Sequence, residues 1–112
     1  MEENKYRKAK DRAYNFYRSI DCVSCAALSG EKVYFDDRGF RHLVFKGNKR
    51  RPISEQVYRF NLMKIVPTAI SKSSDITYYE GETAKFWSIK YKKIKVVVRQ
   101  LRGGRKHFFS VM

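Results

Sequence analysis

Residues 86–112, FWSIKYKKIKVVVRQLRGGRKHFFSVM, decide how this chain folds. Val, Ile, Phe and Trp alternate with Lys, Arg and Ser at period two, the pattern of strands with one dry and one wet face. Gly103-Gly104 carries no penalty for positive φ and predicts a two-residue hairpin turn. That turn sets Arg102 opposite Arg105, Gln100 opposite His107, Val98 opposite Phe109, Val97 opposite Ser110 and Val96 opposite Val111. A second turn at Lys92-Lys93, a poorer turn pair, sets Tyr91 opposite Ile94, Ile89 opposite Val96 and Trp87 opposite Val98.

Both hairpins then agree on which side is dry. One face collects Trp87, Ile89, Tyr91, Ile94, Val96, Val98, Phe109 and Val111, with His107 on the same side. The other collects Ser88, Lys90, Lys95, Arg99, Lys106 and Ser110 with Phe86, Val97, Leu101 and Phe108. A basic, ring-bearing and open surface of this kind suits a phosphate backbone and stacked bases.

Upstream, the periodicity changes. Tyr6, Ala9, Ala13, Phe16, Tyr17 and Ile20 recur at spacings of three and four, predicting an amphipathic helix over 3–20 with a basic outer side. The segment CVSCAALSGEK reads as a small-residue connection, Lys32 to Phe35 as a strand, and Asp36, Asp37 and Gly39 as a turn. Phe40 to Lys46 fits helix or strand, and in either case His42 and Lys46 share a side. Pro52 opens a helix with an inward stripe of Ile53, Val57 and Phe60; Pro67 ends or kinks it, and a short helix follows over Thr68 to Lys72. Strands are expected at Ile76 to Tyr79, Phe86 to Tyr91, Ile94 to Leu101 and Arg105 to Met112. Helices first and a β-meander last define an α+β fold, the N-terminal helices packed on one face of a C-terminal antiparallel sheet.

The 112 residues include 25 Lys or Arg against 11 Asp or Glu, a formal charge of +14, while hydrophobic residues make up 43% and aromatics 15%. One domain over 1–112 with a real core is expected, and disorder is not. No apolar run approaches the ~18 residues of a membrane span, and the first twenty residues lack the apolar stretch of a secretion signal. The chain reads as soluble and cytoplasmic with no membrane partner. The charge calls for a polyanion, and RNA fits best.

His42, near Lys46 and ahead of the basic run Lys49-Arg50-Arg51, is the first choice for proton transfer, since its ordinary pKa of ~6.5 suits that task at neutral pH. The bland reading is a half-exposed histidine on a helix that tops the sheet. Arg99 and Ser110 lie diagonally on the open face, where a guanidinium and a hydroxyl hold neighbouring oxygens of one phosphate; alternatively they keep a sheet edge soluble. His107, with its side chain on the dry face, is second choice. Arg50, Arg51, Arg59, Lys90, Lys95 and Lys106 are the expected nucleic-acid contacts. Cys22 and Cys25 form a lone CxxC, better explained as small buried thiols than as half of a zinc site. The acidic residues show no metal-ligand spacing, so neither a metal nor another cofactor is expected.

The order VYFDDRGFRHLVFK, a basic helical middle with RPISEQVYRF, then FWSIKY, KVVVRQ and GRKHFFSVM resembles the barnase–EndoU–colicin–RelE superfamily of small ribonucleases, particularly its phage-associated branches. The likeness covers most of 32–112, the nuclease-like core, and leaves 1–31 as an added helix and connection. It implies a metal-independent, toxin-like endoribonuclease in which the RNA 2′-hydroxyl attacks the adjacent phosphate and leaves a 2′,3′-cyclic end. Carried over, His42 is the general base or acid, Lys46 and Arg99 stabilise the transition state, and Ser110 orients the phosphate. An acidic antitoxin or immunity protein is the protein partner such a toxin implies. The competing readings are a non-catalytic RNA-binding domain using the same sheet face and a basic accessory protein held by an acidic partner.

Overall fold

Trp87, Ile89, Val96, Val98 and Val111 are all buried, so the dry face read from the alternation is the face that carries the core. The structure is a computed structural model that describes residues 3–112. Helix α1 (Glu3–Ser19) leads to β1 (Cys22–Cys25), a 3₁₀ turn, β2 (Glu31–Tyr34), α2 (Asp37–Val44) and the short strands β3 (Phe45–Lys46) and β4 (Lys49–Arg50). Then come α3 (Ile53–Leu62), a second 3₁₀ turn, α4 (Val66–Lys72) and the strands β5 (Asp75–Glu80), β6 (Ala84–Tyr91), β7 (Ile94–Leu101) and β8 (Lys106–Val111). The fold is α+β.

The six long strands form one sheet in the order β1-β2-β8-β7-β6-β5. The β5–β8 meander is antiparallel as expected, but the sheet also takes β1 and β2 from the N-terminal half, and β2 runs parallel to β8 through the Tyr34–His107 pair. The small-residue stretch around Cys22 is therefore a strand rather than a connection. Cys25 is fully buried and its thiol is pushed up by that burial, whereas Cys22 is half-buried; three residues apart on a strand, they point to opposite faces.

The Lys92-Lys93 turn forms with Lys92 at φ +54, and it gives the expected pairs Tyr91–Ile94, Ile89–Val96 and Trp87–Val98. The Gly103-Gly104 turn differs. Val96–Val111 and Val97–Ser110 pair as expected, but a bulge then moves the register by one, to Val98–Phe108, Arg99–His107 and Gln100–Lys106. The turn closes one residue earlier, with Gly104 N–H donating to Leu101 O and Gly103 at φ +74.

Phe108 supplies the reason for the shift. It is fully buried, stacked on Phe35 at 5.4 Å and edge-on to Tyr17 at 6.0 Å, and one bulged residue is the local cost of placing that ring inside. The sides of three neighbours change with it. Phe109, expected inside, lies on the other face, and His107 joins Arg99 there. Lys106, expected on the open face, pairs with Gln100 on the dry side, where its ammonium lies 4.7 Å from the Trp87 ring centre and 2.6 Å from Glu31.

Asp36, expected in a turn, caps α2 by accepting from the Arg38 N–H at 3.1 Å. The ambiguous stretch that follows is a helix only as far as Val44, so His42 lies in α2 while Lys46 lies beyond it in β3; the side they were expected to share does not exist. In α3 the inward residues are Gln56 and Phe60, while Ile53 is exposed; in α1, Phe16 is exposed although it lies on the expected stripe. Pro67 stands in the first turn of α4, where its missing N–H costs nothing. Among the described residues no helix is long and apolar enough to cross a membrane.

Candidate functional site

Gly39 brings α2 hard against β8. A Cβ there would meet the Phe108 carbonyl oxygen at 2.7 Å and the Tyr17 hydroxyl, so only glycine permits this approach. One turn further along, His42 comes to rest on Phe109, ring centres 4.2 Å apart. The Arg99 guanidinium lies over the same ring at 4.4 Å, and Phe86 meets its edge at 5.9 Å. The residue displaced by the bulge is thus the floor of the site, and alternation alone placed it on the wrong side.

Helix α3 supplies the rest. Arg59 donates from Nη1 to the Ser110 hydroxyl at 3.1 Å and to the Val111 carbonyl at 2.7 Å. Ser110 is on the same face as Arg99, but it lies buried under Arg59 rather than open to solvent. Arg51, expected as a nucleic-acid contact, is buried: it donates to the His42 carbonyl at 3.0 Å and to Glu55 at 2.9 Å. Glu55 also accepts from Arg59 at 3.3 Å, so one carboxylate ties together two guanidinium groups that would otherwise repel. Gln56, fully buried, donates to the Arg51 carbonyl at 2.7 Å and accepts from the Tyr6 hydroxyl at 2.5 Å, fixing the loop before α3. The helices therefore do not stop at the dry face: α2 and α3 side chains extend over the β8 end of the other.

His42 is pushed down to about 4, first by burial and then by the charges of Arg51, Arg59, Arg99 and Lys46. At neutral pH it is an uncharged imidazole among four cations. His107 is buried behind Arg99 and accepts the Arg99 Nε–H on its Nε2 at 3.0 Å. Burial, then Arg38 and Arg99, lower its pKa as well. With its acceptor nitrogen occupied, His107 holds Arg99 in place, and the Arg99 terminal nitrogens make no hydrogen bond to other described residues.

The structure brings together His42, Arg99, Ser110, Arg51 and Arg59, and adds Phe109, Glu55 and the orienting His107. Lys46 contributes positive potential at His42 from the exposed β3–β4 hairpin, where Arg50 is also exposed and lies over Phe45 at 5.8 Å. Lys90 and Lys95 face each other directly across β6 and β7, away from His42 along the sheet. Lys106 does not join the site. Glu55 and Gln56 were legible only as part of RPISEQ, since nothing in spacing separates a buried clamp from a solvated helix face.

Chemically, the arrangement offers a neutral imidazole, an arginine with unengaged nitrogens and an aromatic floor in a basic surround, which is what an anionic, ring-bearing ligand such as a nucleotide phosphate requires. Among the described residues no group of three or more His, Cys, Asp or Glu side chains is placed to hold a metal ion. Comparison with family models, curated proteins and solved structures finds no match.

Proposed function

We propose that this protein is a metal-independent endoribonuclease of the barnase–EndoU–colicin–RelE kind, cleaving RNA by attack of the 2′-hydroxyl on the adjacent phosphate. The observation that carries the reading is His42 held uncharged on Phe109, the ring that Arg99 also overlies, within the field of Arg51, Arg59, Arg99 and Lys46. The reaction needs proton transfer at two oxygens and positive charge around the pentacoordinate phosphorus. His42 takes the 2′-hydroxyl proton. Arg99 binds the non-bridging oxygens, and Lys46 or a substrate-held water protonates the leaving 5′-oxygen. Arg59 and Ser110 support the site from beneath.

A base held near 4 is weak, and that observation favours the second reading, a basic domain that binds RNA without cutting it. A bound phosphate offsets the cationic part of the His42 shift and so raises the imidazole pKa, while the part due to burial stays.

The reading is tested by incubating the protein with total RNA in excess chelator and analysing the new ends. Cleavage to 2′,3′-cyclic phosphate and 5′-hydroxyl termini is expected. Binding without new ends would select the non-catalytic domain, and cleavage only after divalent metal is restored would overturn the mechanism. An acidic antitoxin or immunity protein covering this face is the partner the reading implies, and its addition should inhibit cleavage.

A further inference from the structure

The register places Tyr79, Phe86, Arg99 and His107 in one cross-strand row from the β5 edge to β8. Tyr79 and Phe86 stack nearly parallel, ring centres 5.1 Å apart at 9°, and Phe86 meets Phe109 at 5.9 Å, with His42 next. The four rings run without a break from the sheet edge to the candidate site. Tyr79 is 46% exposed, and the basic pair Lys90 and Lys95 stands further along the same face.

A cross-strand aromatic pair also stabilises an edge strand. Two features go beyond that role. The row leads to Arg99, whose terminal nitrogens are unengaged, and Lys90 stands between Lys95 and Asp75 in the next cross-strand row, so one carboxylate faces two cations and neither lysine forms an ion pair among the described residues. Two interstrand steps put Tyr79 roughly 10 Å from Arg99, with Phe86 between them.

We infer that Tyr79 and Phe86 form a base-stacking subsite for single-stranded RNA, holding the base of a nucleotide that flanks the phosphate bound at Arg99, with Lys90 and Lys95 following the backbone. The inference rests on the proposed reading of the site and adds the substrate class. A paired base is already stacked on both sides and presents no free face to Tyr79, so the row selects unpaired RNA.

The test measures binding of a short single-stranded RNA by anisotropy and its cleavage in single turnover. Tyr79→Val removes the ring but keeps a strand former, and Tyr79→Phe keeps the stack. Tyr79→Val should weaken binding about tenfold, the usual effect of losing one stacked base; Tyr79→Phe should match wild type. In a parallel measurement that needs no variant, a 2-aminopurine placed beside the scissile step should be quenched on binding wild-type protein. Unaltered binding by Tyr79→Val, absent quenching, or equal affinity for duplex RNA would each overturn the subsite. If cleavage depends on His42 while Tyr79→Val binds normally, only the subsite fails. If Tyr79→Val weakens binding but no RNA is ever cut, the subsite stands and the nuclease reading fails. No RNA binding by wild type sinks both.

Discussion

His42 and His107 are both held below their ordinary pKa, His42 at about 4, by burial and surrounding cations. The unfolded chain binds these protons more readily, so between about pH 6.5 and 4 it carries more protons than the native state and stability falls as pH falls. His42 contributes to that loss by less than its full shift would give, because solvent still reaches the half-buried ring. Asp36 acts in the same direction at lower pH: burial opposes its ionisation, but Arg38 outweighs that and holds the carboxyl below its usual value, a contribution lost as pH drops through the native pKa. Urea melts from pH 7 to pH 4 should show a falling midpoint, and His42→Gln should flatten the fall. At the same scale, Glu55→Gln leaves the buried Arg51 and its neighbour Arg59 without their shared carboxylate, and should lower stability by about 1–3 kcal/mol in denaturant titration.

Among the elements, α2 and the β7–β8 hairpin make the site, and they show what sequence reading reaches. Strand positions from Ile76 to Val111 and the Lys92-Lys93 register were legible, because alternation and turn chemistry are local. The bulge was not. It arises because Phe108 fits a pocket made by Tyr17 and Phe35, residues far away in the chain, and no period-two pattern contains that fact. One misplaced residue put Phe109 inside and His107 and Lys106 on the wrong sides, although Arg99, Ser110 and His42 were singled out from the sequence. Helix α2 depends on Gly39. Gly39→Ala forces the helix off β8 and should cost about 1–3 kcal/mol in stability, moving His42 from Phe109 and depressing any cleavage more than thermal stability alone explains. Thermal melts beside activity at a temperature where the variant remains folded check this.

For the whole molecule, a net charge of +14 on 112 residues makes polyanion affinity steeply dependent on salt. Only part of that charge is free to act: Arg51, Arg59 and Lys106 are bound to carboxylates or carbonyls, whereas Lys46, Arg50 and Lys90 are exposed and the half-buried Arg99 keeps its terminal nitrogens unengaged among the described residues. Affinity for single-stranded RNA should fall linearly on a log–log plot against salt, each neutralised phosphate adding a slope of about −0.7. Replacing Lys90 with Ala should reduce that slope by about one such step, while Lys106→Ala should leave it unaltered and destabilise the fold instead. The charge excess was plain from composition, but the division into structural and available cations needed the helices in place.

The central claim, that His42 performs chemistry on a phosphate held beside it, is tested most directly by comparing wild type and His42→Ala on one RNA oligonucleotide in chelator. Cleavage rate and Kd are measured together. The expected result is a single-turnover rate lowered about 10²- to 10⁴-fold with Kd within a few-fold of wild type. Cleavage by His42→Ala at the wild-type rate would contradict it.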